Sequence, residues 1–145
     1  MFDEYSYDEK KQMDSLQSYF PVPEPIRSWL FKTDFVTPAG SLDLSVLSVH
    51  TRAVRLPARD SKEVLVVTFN LVYEPDIDDI LYMWKTTNPP CIVRVTLLRP
   101  DMNTYRVYEF HGVKIDYSNS ITLDWASTES VTRVVGLSYD TLAIV

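Results

Sequence analysis

From Trp29 onward, apolar and polar residues alternate mostly with a period of two, which is the pattern of β-strands. The run KEVLVVTFNLVY at 62–73 is apolar on both faces, and this predicts a strand buried on both sides. The alternation changes phase near Gly112, where we expect a β-bulge. The pattern as a whole predicts strands over residues 29–36, 42–47, 62–73, 91–98, 104–117, 120–123 and 131–140.

One segment between the predicted strands follows a helical period instead. In DIDDILYMWK the apolar residues Ile77, Ile80, Leu81 and Trp84 fall on one face of an α-helix. Aspartates fill its first turn, where carboxylates satisfy free N–H groups and match the helix dipole. Asn-Pro-Pro at 88–90 ends it. The sequence therefore predicts a central amphipathic helix that covers part of a sheet.

The first part of the chain has a different character. Residues 3–19 have a sparse apolar stripe that predicts a helix, and the proline-rich PVPEP at 21–25 ends that helix. We expect an N-terminal, partly helical arm over 1–26 and a mainly β domain over 27–145.

Composition and charge limit the classes of function. The 145 residues suit one domain, 46% of them are hydrophobic, and no apolar run approaches a membrane span of about 20 residues. The N-terminus is acidic and lacks the order of a signal peptide. The single cysteine, Cys91, excludes an internal disulfide. The net charge of −6 argues against a protein that grips nucleic acid by its phosphates, but not against one that surrounds DNA.

The sequence offers little for catalysis or metal binding. His50, Cys91 and His111 are too far apart in the chain for a short metal-binding spacing. There is no Gly-x-Ser-x-Gly elbow, and three isolated glycines cannot form a phosphate-binding loop. We expect no catalytic residues, no metal and no cofactor. A small binding module or an enzyme built on paired carboxylates remains the competing class.

The order of these segments resembles a known family. The end of the chain, GVKIDYSNSITLDWASTESVTRVVGLSYD, is similar to the closing pattern of the tail tube proteins of contractile-tailed bacteriophages and related injection machines. RLPARDSKEVLVVTFN at 55–70 and DIDDILYMWK resemble the family's strand and helix that precede it. RSWLF at 27–31 resembles the entry into its first strand, so the resemblance spans most of 27–140.

The resemblance implies an antiparallel β-barrel or sandwich that forms hexameric rings, and these rings stack into a hollow tube. Strands of neighbouring subunits would continue into one inner barrel, which also removes exposed sheet edges. Double-stranded DNA would pass through without sequence-specific binding. The implied partners are further copies of the chain, a tail sheath and baseplate proteins, with no membrane. The implied location is a virion tail, assembled in the host cytoplasm.

The resemblance also implies roles for residues near the end of the chain. One face of the last long strand becomes a candidate channel lining or subunit contact. Its members are Val131, Arg133, Val135, Leu137 and Tyr139. Carboxylates near the closing strands become candidates for an acidic channel that does not hold DNA. These are Asp116, Asp124, Glu129 and Asp140.

The chain departs from the family between Ser48 and Arg55, where a longer hairpin that joins successive rings is expected. The short connection leaves an alternative open: a baseplate or tail-end adaptor ring of the same fold that does not polymerise. The other alternative is a tube subunit whose rings are joined through the arm at 1–26.

Overall fold

The computed structural model describes residues 24–145. The helix predicted over 3–19 and nearly all of the arm at 1–26 lie outside the described residues. Within the described part, no helix has the length and apolar character needed to cross a membrane. The elements, in chain order, are β1 (Phe31–Val36), a 3-10 helix (Ser45–His50), β2 (Thr51–Arg55), β3 (Leu65–Asn70), α1 (Ile77–Thr87), β4 (Ile92–Leu98), β5 (Thr104–His111), β6 (Lys114–Ser118), β7 (Thr132–Ser138) and β8 (Thr141–Ile144).

The strands form two four-stranded sheets in which every pairing is antiparallel. The first sheet has the order β1-β4-β5-β8, and the second has the order β2-β3-β7-β6. Apolar residues from both sheets and from α1 form one continuous core. The prediction of a mainly β, antiparallel sandwich with a central helix is confirmed.

Alternating residues of paired strands supply most of the core. In the second sheet, Leu65 pairs with Leu137 and Val67 pairs with Val135, and all four side chains are fully buried. The first sheet contributes Val93 opposite Phe110 in the same way. Because successive side chains of a strand point to opposite faces, this register places a row of large apolar residues between the sheets.

The helix α1 begins and ends as its sequence indicates. The side chain of Asp76 accepts a hydrogen bond from the backbone N–H of Asp79 at 3.1 Å, and Asn88 ends the helix in the left-handed conformation with φ of 47°. The predicted face lies against the core, with Ile77, Leu81 and Trp84 buried and Ile80 partly buried.

The strand predicted over 42–47 is wrong, because the chain forms a 3-10 helix over Ser45–His50. Leu44 and Leu47 are both fully buried, and a spacing of three places them on one side of a helix with three residues per turn. The Asp43 carboxylate accepts a hydrogen bond from the backbone N–H of Ser45 at 2.9 Å, which favours the turn.

The bulge predicted near Gly112 is also wrong, because the chain changes sheets there. β5 belongs to the first sheet and β6 to the second, and Gly112 lies between them with φ of 65°. The chain crosses back between β7 and β8, where the N–H of Asp140 donates to the carbonyl of His111 at 2.8 Å. The two crossings therefore lie side by side.

The strand predicted over 120–123 is a third correction, because residues 119–131 form a loop between β6 and β7. Local hydrogen bonds shape this loop. The Asp124 carboxylate accepts from the N–H of Ala126 at 2.9 Å, and Ser127 Oγ accepts from the N–H of Glu129 at 3.2 Å. Such side-chain turns compete with strand pairing for the backbone. We call this segment the Trp125 loop.

Candidate assembly surfaces

The outward face of the second sheet is small and uncharged along its two central strands. Val66 pairs with Gly136 and Thr68 pairs with Val134, on the side opposite the core. The ring of Tyr117, on the neighbouring β6, lies directly over Gly136. A side chain at position 136 would therefore displace the Tyr117 ring. The residues of β3 and β7 on this face are Val66, Thr68, Asn70, Thr132, Val134, Gly136 and Ser138.

The face of β7 predicted to line a channel or contact a neighbour divides into two groups. Val135 and Leu137 are fully buried between the sheets, so a channel role for these two side chains is wrong. They face the core because β3 supplies large apolar partners at their positions. Val131 is exposed at the end of the Trp125 loop, while Arg133 and Tyr139 are partly buried.

Arg133 links the strand, the helix and the loop. Its Nη2 lies 2.8 Å from Oδ1 of Asp78 in the first turn of α1, and its Nη1 donates to the carbonyl of Asn119. The side chain of Asn119 in turn accepts from the N–H of Val134 at 2.8 Å. Arg133, although on the core-facing side of β7, therefore finds polar partners for its guanidinium at the first residues of the strand. These bonds fix the base of the Trp125 loop.

The four predicted channel carboxylates are all exposed but stand on three separate segments. Asp116 lies on β6, and Asp140 lies in the short connection between β7 and β8. Asp124 and Glu129 share the Trp125 loop. The subunit alone does not gather them into one site, so their place in a channel stays a prediction.

The outward face of the first sheet carries a charged row that sequence reasoning missed. Arg94 and Glu109 are directly paired on β4 and β5, with Nε 2.7 Å from Oε2. Nε2 of His111 lies 2.7 Å from the other oxygen of Glu109. The hydrogen bond from Arg94 is the main reason why the pKa of Glu109 lies below its usual value, and the bond from His111 acts in the same direction. Strand pairing brings Arg94 and Glu109 together across fifteen positions, which no local motif reveals.

The described residues show little that points to chemistry. Burial raises the pKa of the Cys91 thiol to about 12, so it is a poor nucleophile. Within residues 24–145, no group of three His, Cys, Asp or Glu side chains is placed to hold a metal ion.

The fold is shared with components of contractile injection systems. A chain of the anti-feeding prophage baseplate superposes with a TM-score of 0.62 at 10% identity, over 86% of this chain and 97% of that one. A chain of an extracellular contractile injection system, the PVC sheath-tube complex, gives 0.55 at 10% identity, over 88% and 96%. Hcp1 from Salmonella typhimurium gives 0.53 at 13% identity, over 79% and 84%.

No protein-family profile and no curated sequence matches the chain. What the comparisons do show is a shared fold: chains from contractile injection assemblies have the same arrangement of elements as this one. The resemblance drawn from the sequence is thus confirmed at the level of fold. The solved neighbours come from tube and baseplate assemblies.

Proposed function

We propose that this protein is a structural, non-catalytic subunit that forms hexameric rings in the tube of a contractile phage tail. The rings stack, and their channel conducts double-stranded DNA during ejection without sequence-specific binding. The tail sheath and the baseplate are the neighbouring components, and the virion tail, assembled in the host cytoplasm, is the location. The fold shared with a chain of the PVC sheath-tube complex supports this proposal.

The observation that carries the proposal is the strand order of the second sheet. Its outer strands, β2 and β6, are separated by two strands, and all neighbours are antiparallel. β2 and β6 therefore run in opposite directions. A rotation about a ring axis can place β6 of one subunit beside β2 of the next in ordinary antiparallel pairing. Closing the ring in this way leaves the second sheet without edges.

The outward face of the second sheet is the proposed channel lining. Its central residues are small and uncharged. The basic residues of this face, Arg55 opposite Val66 and Lys114 opposite Ser138, stand apart on the two outer strands and form no row of Lys or Arg. The first sheet, with its row of Arg94, Glu109 and His111, would face outward toward the sheath. Asp116 and Asp140 would keep the ends of the channel acidic, in line with the net charge of −6, whereas Asp124 and Glu129 stand on the Trp125 loop. An assembled channel lined chiefly by basic residues would contradict this assignment.

A second candidate is a baseplate or terminal ring of the same fold that does not polymerise. The specific observation in its favour is the short segment from Ser48 to Arg55, which holds the end of the 3-10 helix and β2 without a protruding hairpin. A chain of a baseplate is also among the similar structures. If the main tube is correct, residues 1–26 are the proposed arm that joins successive rings.

The experiment that separates these candidates measures particle mass by light scattering across a concentration series of the purified chain. Masses of a hexamer and of its multiples are expected for a tube subunit. A mass that stops at one hexamer would assign the protein to a terminal ring. A monomer at every concentration would contradict both candidates.

A further inference from the structure

The Trp125 loop exposes large apolar side chains on a fixed base. Trp125 is fully exposed and Leu123 is 80% exposed. The base of the loop is held by backbone and side-chain bonds between Asn119 and Val134, at 3.0 and 2.8 Å. The loop also carries Asp124 and Glu129, with no Lys or Arg. Tryptophan is enriched among the residues that anchor interfaces, so an exposed tryptophan on a fixed base suits a contact surface.

A groove of about 870 Å³ opens elsewhere on the subunit, between β1, the end of the 3-10 helix and β2. We call it the β1–β2 groove. Its walls include exposed Trp29 and Val49, together with Val54 and Leu56 from the β2 side. Lys32 and Arg52 are its charged residues, and no acidic residue lines it. The groove is therefore apolar with a basic rim.

The loop and the groove are complementary in two independent respects. Each presents apolar surface that includes an exposed tryptophan, and their charges are of opposite sign. The loop does not occupy its own groove, because Trp125 is fully exposed within its subunit. Two complementary patches at different places on one chain can satisfy each other only between copies, which gives a head-to-tail contact.

We propose that the Trp125 loop of one copy docks in the β1–β2 groove of a second copy. Trp125 and Leu123 enter the apolar groove, while Asp124 and Glu129 lie toward Lys32 and Arg52. A head-to-tail contact repeats around a ring or along a stack, and it supplies a contact that the strand edges do not. This inference rests on the proposed self-assembly, and the groove adjoins β2, the strand edge that the proposed ring closure uses.

Disulfide cross-linking tests the contact directly. The native cysteine, Cys91, is buried and should contribute little cross-linking of its own. Ala126→Cys places a thiol beside Trp125, and Val49→Cys places one on the groove. Tyr82→Cys, on the exposed side of α1, is the matched control. Under mild oxidation we expect mixed Ala126→Cys and Val49→Cys proteins to form a cross-linked dimer. The mixture of Ala126→Cys with Tyr82→Cys, and each variant alone, should stay largely uncross-linked.

The alternatives give different results. Efficient cross-linking of Ala126→Cys with itself would indicate loop-to-loop contact and overturn the inference. So would a monomer in which the Val49→Cys thiol is protected from maleimide, since the groove would then be filled by its own chain. Rings or tubes without the mixed cross-link would overturn the inference and leave the proposed function intact. A chain that never self-associates would contradict both the inference and the proposed function.

Measurements of the self-association constant provide a second test, in which a second charge reversal should restore the binding that a first one weakens. Trp125→Ala should weaken self-association by at least about tenfold, as removal of a central aromatic anchor usually does, whereas Tyr82→Ala should change it by less than about twofold. Arg52→Glu should weaken association, and adding Glu129→Lys should restore part of it if the two charges meet. Equal association by Trp125→Ala and the unmodified chain, or the absence of rescue, would count against the contact.

Discussion

The ring of Phe35 meets the ring of Trp84 edge-on, with centroids 6.0 Å apart and planes at 79°. Phe35 also lies 5.7 Å from the ring of Phe69 on the second sheet. One side chain of β1 thus joins the helix and both sheets. The amphipathic helix is part of the sandwich core rather than an accessory on its surface.

Trp84→Ala should destabilise the fold by about 3–5 kcal/mol, because the indole is fully buried and its removal leaves a cavity. Trp84→Phe should be milder, since within residues 24–145 the indole N–H has no hydrogen-bond partner to lose. Urea unfolding under monomeric conditions measures both. Trp125→Ala is the matched control and should stay within about 0.5 kcal/mol. A near-neutral Trp84→Ala would mean that the helix does not pack as described.

Gly112→Ala should be more destabilising than Gly40→Ala. Both glycines have positive φ, 65° and 87°, so an alanine is strained by about 1–2 kcal/mol at either position. A Cβ at Gly112 would also collide with the side chain of Asp140, whereas one at Gly40 meets open space. The difference between the two unfolding free energies isolates the crowding at the crossing between sheets. Equal effects would show that Asp140 moves aside freely.

The pKa of Glu109 gives a pH dependence with a definite sign. Arg94 lowers this pKa below the ordinary value of 4.5, so the folded state favours the carboxylate. The resulting stabilisation is present above the ordinary pKa and is lost as pH falls through the lowered one. Glu109→Gln should therefore have a lower melting temperature than the unmodified chain at neutral pH, and the difference should shrink as the pH falls below 4.5. A constant difference across this range would contradict the assignment.

Cys91 should not react with thiol reagents in the folded protein. Burial raises its pKa to about 12 from an ordinary 9.0, so almost no thiolate forms at pH 8. The expected result is no reaction with a disulfide reagent until denaturant is added, and then one thiol per chain. The same shift makes this contribution to stability complete below pH 9.0 and diminishing as pH rises toward 12. Rapid reaction of the native protein would show that Cys91 is accessible.

The parts of the fold that follow from the sequence are those with strong local signals. The helix α1 was predictable because its apolar period, its capping aspartate and its prolines all agree. β3 was predictable because its two-faced apolar run matches a central strand, and it lies between β2 and β7.

The errors have two physical sources that a local alternation pattern does not show: distant strand pairing, which decides sheet membership, and side-chain hydrogen bonds within turns. Alternation around Gly112 looks like one long strand, yet the chain changes sheets there, because β5 pairs with β4 and β6 with β7. The Trp125 loop begins with alternating apolar and polar residues, as a strand would. Its backbone N–H groups, however, donate to the side chains of Asp124 and Ser127 within the loop. The pairing of Arg94 with Glu109 depends on the same long-range register.

The most direct test of the central claim is electron microscopy of the purified chain, with class averages computed without imposed symmetry. The proposal predicts sixfold rings with an open centre, stacked into tubes for a tail tube subunit or single for a terminal ring. Particles of monomer size at every concentration, with no ring in any class, would contradict the claim that this fold functions by self-assembly.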